Sequence, residues 1–291
     1  MKLVSFSLEH GDKYFGKIDG TRFFIGERVS FGDGKGLMNT QGTAGQKYDR
    51  AAFRERFGFW ADFIHPTAMA EGAQFHTLNT YDRARFTFSF LQFAAHVPNG
   101  DFVQFLRRLL GLPLATEYFP DLQMKNGRVC RLTERDMTPL ESDDSTEGLL
   151  DYFNPSLREI EDTEIIQAAK FVHWAQNDAD HRRLQIEIGV VEIQKKMAQY
   201  SKRYGLDGVS EVICLLVMDI RHQGRATSGA ILAALQSPDP VGKLLELGAS
   251  RYPSRITALR REINALTGDN TFGRFFYSEA HGEFVSRTSR S

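Results

Sequence analysis

Residues 70–93 read AEGAQFHTLNTYDRARFTFSFLQF. Glu71 stands directly before Gly72 at the end of a helical pattern, and Asp82 opens an alternating run rich in Phe, Thr and Tyr. Alternation of this kind predicts a hairpin or small sheet with one buried face. Glu71 is thereby set at a helix C-terminus, where the negative end of the macrodipole disfavours a carboxylate by ~0.3–1 kcal/mol. A carboxyl that resists ionisation is what a general acid requires.

Upstream, Phe53, Phe57, Trp60, Ala61 and Ile64 recur at helical steps, with Asp49 as the N-cap. Pro66 is expected to break or restart that helix, and Gly72 to follow its end. Residues 1–46 read as short strands, with a hairpin turn at Asp19-Gly20. GDGKG and NTQGTAG read as a glycine-rich loop, since the first lacks the spacing of a phosphate loop.

Downstream, Leu91 to Leu110 reads helical, interrupted by a turn at Asn99-Gly100, with Asp101 capping DFVQFLRRLLG. Residues 113–147 are irregular around a hairpin at Asn126-Gly127, and ESDDSTEG is expected to be a surface loop. Beyond Asp162 the pattern is helical almost throughout. Ser210, Pro240 and Pro253 open helices, Gly205, Gly224 and Gly268 close them, and the apolar SEVICLLVMDI is the expected central helix.

With 42% hydrophobic and 25% charged residues in 291, the composition is that of a globular protein. A formal charge of −1 provides no global basic field, so nucleic acid is not an expected partner. Cys130 and Cys214 lie far apart and read as reduced thiols. His10, His65, His76, His96 and His173 show no metal-ligand spacing, and no nucleophile elbow is present, so neither metal nor cofactor is expected. The N-terminus lacks a secretory apolar region and no run approaches a membrane helix. Synthesis in the cytoplasm is expected, with release by lysis or a signal-independent route if the protein acts outside.

The segment Asp82–Phe93, DRARFTFSFLQF, resembles the Asp-Gly-Arg-Gly-Tyr-Thr-x-Gly-Ile-Ile-Gly-Phe motif of the family-46 chitosanases, members of the lysozyme-like superfamily. AEG around Glu71 is similar to the Ala-Glu-Asn at that family's catalytic acid, and Phe90–Gln92 to a lytic transglycosylase motif. The helical stretch ending Met218-Asp219-Ile220-Arg221-His222-Gln223-Gly224 is similar to the family's buried helix. Two departures stand out. Asp82 follows Glu71 by eleven residues, fewer than in the chitosanases, and glycines of the motif are replaced by Ala84, Arg85, Phe88, Ser89 and Gln92.

The resemblance implies an α+β, mainly helical, lysozyme-like fold with a small β-hairpin element and an N-terminal β-rich extension. Residues 1–46 would be the extension and 47–291 the catalytic domain, with 113–160 as an insertion. The implied activity is hydrolysis of β-1,4 bonds in an amino-sugar polymer, peptidoglycan first and chitosan second. Glu71 would be the acid, Asp82 the ionised partner and Thr87 the holder of the attacking water. Tyr81, Arg83, Arg85, Phe86, Phe88 and Gln92 would line the groove. Glu9, also before a glycine-bearing turn, is a rival acid. A binding module without activity, or a lytic transglycosylase needing one acid, are the alternatives. Oligomeric state is not legible.

Overall fold

The computed structural model of the chain describes residues 1–40 and 45–286, so the centre of the NTQGTAG loop lies outside it. The chain opens with β1 (Ser5–Glu9), β2 (Lys13–Ile18), β3 (Thr21–Phe31) and β4 (Gly34–Met38), then α1 (Arg50–Phe57) and α2 (Phe59–Ala70). Short strands β5 (Leu78–Asn79), β6 (Thr87–Phe88) and β7 (Phe93–Ala94) lead to α3 (Asp101–Leu109) and α4 (Ala115–Tyr118). Next come β8 (Leu122–Lys125), β9 (Arg128–Leu132), β10 (Met137–Pro139), α5 (Glu147–Phe153), α6 (Asp162–Asn177) and α7 (Ala179–Tyr204). The last elements are α8 (Glu211–Gln223), α9 (Ser228–Leu235), α10 (Pro240–Glu246), α11 (Pro253–Gly268), β11 (Phe275–Ser278) and β12 (Glu283–Ser286). The fold is α+β.

The chain divides into two compact units. The first takes Met1–Lys47 and Gln74–Ile188, and the second takes Tyr48–Ala73 and the described residues from Gly189. This corrects the expected boundary at 46/47. Strands β1 to β4 form no separate extension, because they continue through β5, β6 and β7 as one antiparallel sheet in sequential order. The Met38–Asn79 pairing, flanked by backbone bonds from Thr80 to Leu37 and from Asn39 to Leu78, joins β4 to β5, a link between residues 41 positions apart that no local pattern announces.

In the first unit, Asp19 and Gly20 take φ of 51° and 82°, the left-handed pair of a two-residue hairpin turn between β2 and β3. GDGKG is the turn and first residues of the β3–β4 hairpin. Asn126 and Gly127, at 52° and 75°, turn β8 into β9 in the same way. Leu91–Gly100 is not helical as expected. Phe93 and Ala94 pair with β6 instead, and α3 starts only at Asp101. The alternating aromatic run continued further than the helical periodicity suggested.

The core of this unit is a cluster of rings. Phe171 of α6 lies 5.3 Å from Phe86, 5.0 Å from Phe88, 5.2 Å from Phe119 and 5.5 Å from Phe153, centroid to centroid. Glu141 does not lie on an exposed loop as ESDDSTEG suggested. Its buried carboxylate accepts from Arg107 at 2.9 and 2.7 Å, from Arg128 at 3.1 Å and from the Val129 amide at 3.0 Å.

Glu164, fully buried in the first turn of α6, meets the hydroxyl of Thr80. Burial pushes its carboxyl up to about 8, and hydrogen bonds, that of Thr80 foremost, offset only part of the shift. The native state therefore binds a proton that the unfolded chain releases near pH 4.5. Stability from this group is complete below that pH and is lost as pH rises towards about 8. Glu164→Gln, which keeps shape without ionising, should be the more stable protein at pH 8 by up to about 4 kcal/mol and match wild type near pH 4.5. Urea midpoints at the two pH values test this, and parallel profiles would sink it.

In the second unit, Asp49 caps α1 as expected, accepting from the Ala51 amide at 2.9 Å. The break falls at Gly58 (φ 55°, ψ −140°), not at Pro66, which sits buried inside α2. Proline deprives the helix of one backbone donor. Burial of Trp60, Phe63, Ile64 and Ala68 holds α2 together across it. The C-terminal hairpin β11–β12 adds rings to this face: Phe275 stacks on Phe59 at 4.2 Å and Phe284 approaches Phe63 at 4.6 Å. Helix α8 is buried from Cys214 to Ile220 and closes at Gly224 (φ 68°). Both cysteines are free and buried. Among the described residues no helix is long and apolar enough to cross a membrane.

Candidate functional site

Glu71 is the C-cap of α2, its amide returning to the carbonyls of Thr67 and Ala68 at 3.1 Å. Its carboxylate accepts from Arg255 Nη1 of α11 at 2.5 Å and lies 4.0 Å from His222 Nε2. Arg255 also grips Asp219 of α8, through Nη2 at 2.7 Å and Nε at 3.3 Å. Asp219 accepts further from Arg225 Nη1 at 2.8 Å and from the Thr67 hydroxyl at 3.0 Å. Arg225 in turn donates through Nε to the Leu247 carbonyl at 3.1 Å.

The array runs Arg225, Asp219, Arg255, Glu71, all within the second unit. Asp219 and Arg225 side chains are fully buried, whereas Glu71 keeps 17% of its side chain exposed. The charges alternate, so each buried ion has a counter-ion. Burial works against the charge of Arg255, and Asp219 with Glu71 outweighs it, holding the guanidinium above its usual range. Burial holds His222 below the usual histidine range, against the pull of Glu71. A neutral imidazole and a fixed carboxylate thus meet where the array reaches solvent.

What lies against the Glu71 carboxylate is Arg255. Asp219 and His222 were legible only as helix-end residues. Arg225 and Arg255 were missed, since nothing in RHQGRATSG or YPSRITALRR marks one arginine above its neighbours.

Asp82 belongs to the first unit, where it builds a turn. Its Oδ1 accepts from the Ala84 amide at 2.8 Å and its Oδ2 from Asn79 Nδ2 at 3.3 Å. Burial, then the Asp82 charge, push the Tyr81 hydroxyl up. Burial and Arg83 push His96 down, with Asp82 opposing.

Phe86 and Phe88 carry no exposed surface and belong to the aromatic core, which corrects their assignment to a groove. The three donor atoms of Arg85 are committed to Asn154 O at 2.7 Å, Glu147 at 2.6 Å and Asp151 at 2.7 Å, so it ties the turn to α5. Thr87, 5% exposed, pairs in β6 with Asn79 and Ala94. Arg83 is exposed and Gln92 half-buried. Glu9 accepts from Ser7 at 3.0 Å and Arg22 at 2.7 Å, and these bonds, that of Ser7 foremost, hold its carboxyl below the usual range. That is the reverse of what a general acid needs.

Among the described residues no group of three or more His, Cys, Asp or Glu side chains is placed to hold a metal ion. Compared with known protein families, curated proteins and solved structures, the chain matches none.

Proposed function

We propose that the protein is a lysozyme-like glycoside hydrolase that cleaves β-1,4 bonds of an amino-sugar polymer, peptidoglycan first and chitosan second, with Glu71 as proton donor. The observation that carries this reading is backbone geometry. Arg85, Ser89 and Gln92 have φ of 55°, 94° and 58°. With Asp82 as the first residue of the chitosanase-like motif, these are its fourth, eighth and eleventh positions, each a glycine there. An L-residue in that region costs roughly 1–2 kcal/mol. Three such residues at the motif's own spacing support the resemblance where residue identity had weakened it.

The order of elements agrees with it in part: a helix capped by Glu71, short antiparallel strands, then mostly helices, with β8–β10 and the final β11–β12 hairpin as departures. Glu71 is fixed by Arg255 and keeps 17% of its side chain exposed, and, as at Glu9, an arginine on the carboxylate weighs against the donor role. Glycosidic cleavage takes a proton from one carboxyl to the leaving oxygen, while an ionised partner assists water or the oxocarbenium. Asp82 is proposed for the second role and Thr87 for the water, with Thr87, almost buried, the weaker of the two. A second reading, single-acid transglycosylase chemistry, is favoured by the fact that both Asp82 oxygens already accept hydrogen bonds within its own turn.

The test is release of soluble fragments from peptidoglycan sacculi and, separately, from chitosan, with new reducing ends marking hydrolysis and 1,6-anhydro ends marking transglycosylation. Glu71→Gln should lower release by ~10²-fold or more while keeping the folded state. Asp82→Asn should do the same for a hydrolase and leave the rate of a transglycosylase intact. A fully active Glu71→Gln protein defeats the assignment. No release by wild type from either polymer favours a binding module instead.

A further inference from the structure

We propose that Phe31 and Tyr81 form an aromatic platform, beside Asp82, on which a pyranose ring of the amino-sugar polymer stacks. This rests on the reading above for the identity of the polymer, and it adds Phe31, from outside the segments that resemble the chitosanases, to Tyr81 of the implied groove.

Phe31 ends β3 at the tip of a hairpin and is 69% exposed. No other phenylalanine among the described residues is classed as exposed. Its ring lies 6.3 Å from that of half-buried Tyr81, the planes at 55°. An exposed ring of that size contributes nothing to a core and leaves apolar area in water. The chain neighbours of the pair, Asp33, Lys35, Asp82 and Arg83, are polar.

The platform is also held in place. A Cβ at Gly34 would collide with the Tyr81 carbonyl oxygen, and one at Gly36 with Thr80. The absence of side chains there lets β4 run directly against Thr80–Tyr81. Thr80 then exchanges bonds with Leu37, its Oγ1 accepting at 2.6 Å and its amide donating to the carbonyl at 3.0 Å. Asn154 Nδ2 donates to the Thr80 carbonyl at 2.9 Å. The hairpin tip and the Tyr81–Asp82 turn are thus fastened to each other, and the rings need little ordering on binding.

The chemistry of the ligand follows. β-1,4-linked glucosamine units carry axial C–H bonds on both faces, which stack on an aromatic ring, and equatorial hydroxyl and nitrogen groups around the rim. Asp82 would accept from a rim hydroxyl or ammonium, and the Tyr81 hydroxyl would donate or accept beside it.

The probes are a chitosan hexamer and an N-acetylglucosamine hexamer, titrated calorimetrically into the Glu71→Gln protein. Phe31→Ala in that background should weaken binding about tenfold. Phe31→Trp should bind like its parent, and neither change should move the thermal midpoint, since the ring is on the surface. In the active enzyme Phe31→Ala should raise KM and spare kcat. Unchanged affinity in Phe31→Ala, equal losses in Phe31→Ala and Phe31→Trp, or no binding of either hexamer by the parent would each overturn the platform. Binding that depends on Phe31 in a protein that cleaves nothing would uphold the platform and defeat the hydrolase.

Discussion

Phe171→Ala is expected to destabilise the first unit by about 3–5 kcal/mol, the range for a buried phenylalanine truncated to alanine. The residue lies mid-way along α6 with no exposed surface. Besides its four closest rings it reaches Phe102 at 6.0 Å and Phe105 at 6.4 Å, so six phenylalanines face it. Those rings come from β6 and its approach, α3, the α4–β8 connection and α5. None can swing into the vacancy without leaving its own neighbours, so the cavity persists and adds to the lost transfer energy. A domain holds about 5–15 kcal/mol in total, so this one change removes a large fraction. Urea denaturation followed by near-ultraviolet dichroism measures it. A loss below about 1.5 kcal/mol would mean that the ring cluster has slack and that Phe171 is not its centre.

That hub illustrates what the sequence discloses. The helical pattern beyond Asp162 predicted α6, because a 3.6-residue repeat is a local property, whereas the burial of Phe171 at the centre of the rings emerges only from the fold. Turns carried by Asp19-Gly20 and Asn126-Gly127 were legible for the same reason. The joining of β4 to β5 was not, since it rests on pairings between segments that α1 and α2 separate. Misreading of Leu91–Gly100 as helix has a related cause: FLQFAAHV offers helical spacing, and only pairing with β6 draws Phe93 and Ala94 into the sheet. Pro66 shows tertiary burial overriding a local breaker.

The candidate site divides along the same line. Glu71 was found because its helix end is marked in sequence by Gly72. Asp82 was found because of its motif, and its turn-building bonds to Ala84 and Asn79 emerge only from the fold. Phe86 and Phe88 alternate with polar residues in a way that reads equally as groove or core, and the rings of α3, α5 and α6 decide for core. The arginines that fix Glu71 come from a loop and a helix about 150 and 180 residues further on, beyond the reach of any local pattern.

Asp219→Asn should cost about 3–5 kcal/mol, the range found when one member of a buried ion pair is removed. Asp219 serves two guanidiniums and a hydroxyl with two oxygens, and neither oxygen faces water. An amide keeps the shape but withdraws the charge and turns a donor towards one arginine. Arg225, with no exposed side-chain area, would be left without its counter-ion, and Arg255 would keep only Glu71. The penalty comes from stranding buried charge, which a second change can relieve. Asp219→Asn with Arg225→Met should therefore lose less than the two single changes added together, with a coupling of about 1–3 kcal/mol. Additive losses would mean that Asp219 and Arg225 stabilise the unit independently. The double variant also separates stability from chemistry. If Glu71 depends on Arg255 being held by Asp219, reducing-end release should stay low even where the folded state has been recovered. Activity that returns with stability would reduce Asp219 to a scaffold and leave Arg255 sufficient to hold Glu71 unaided.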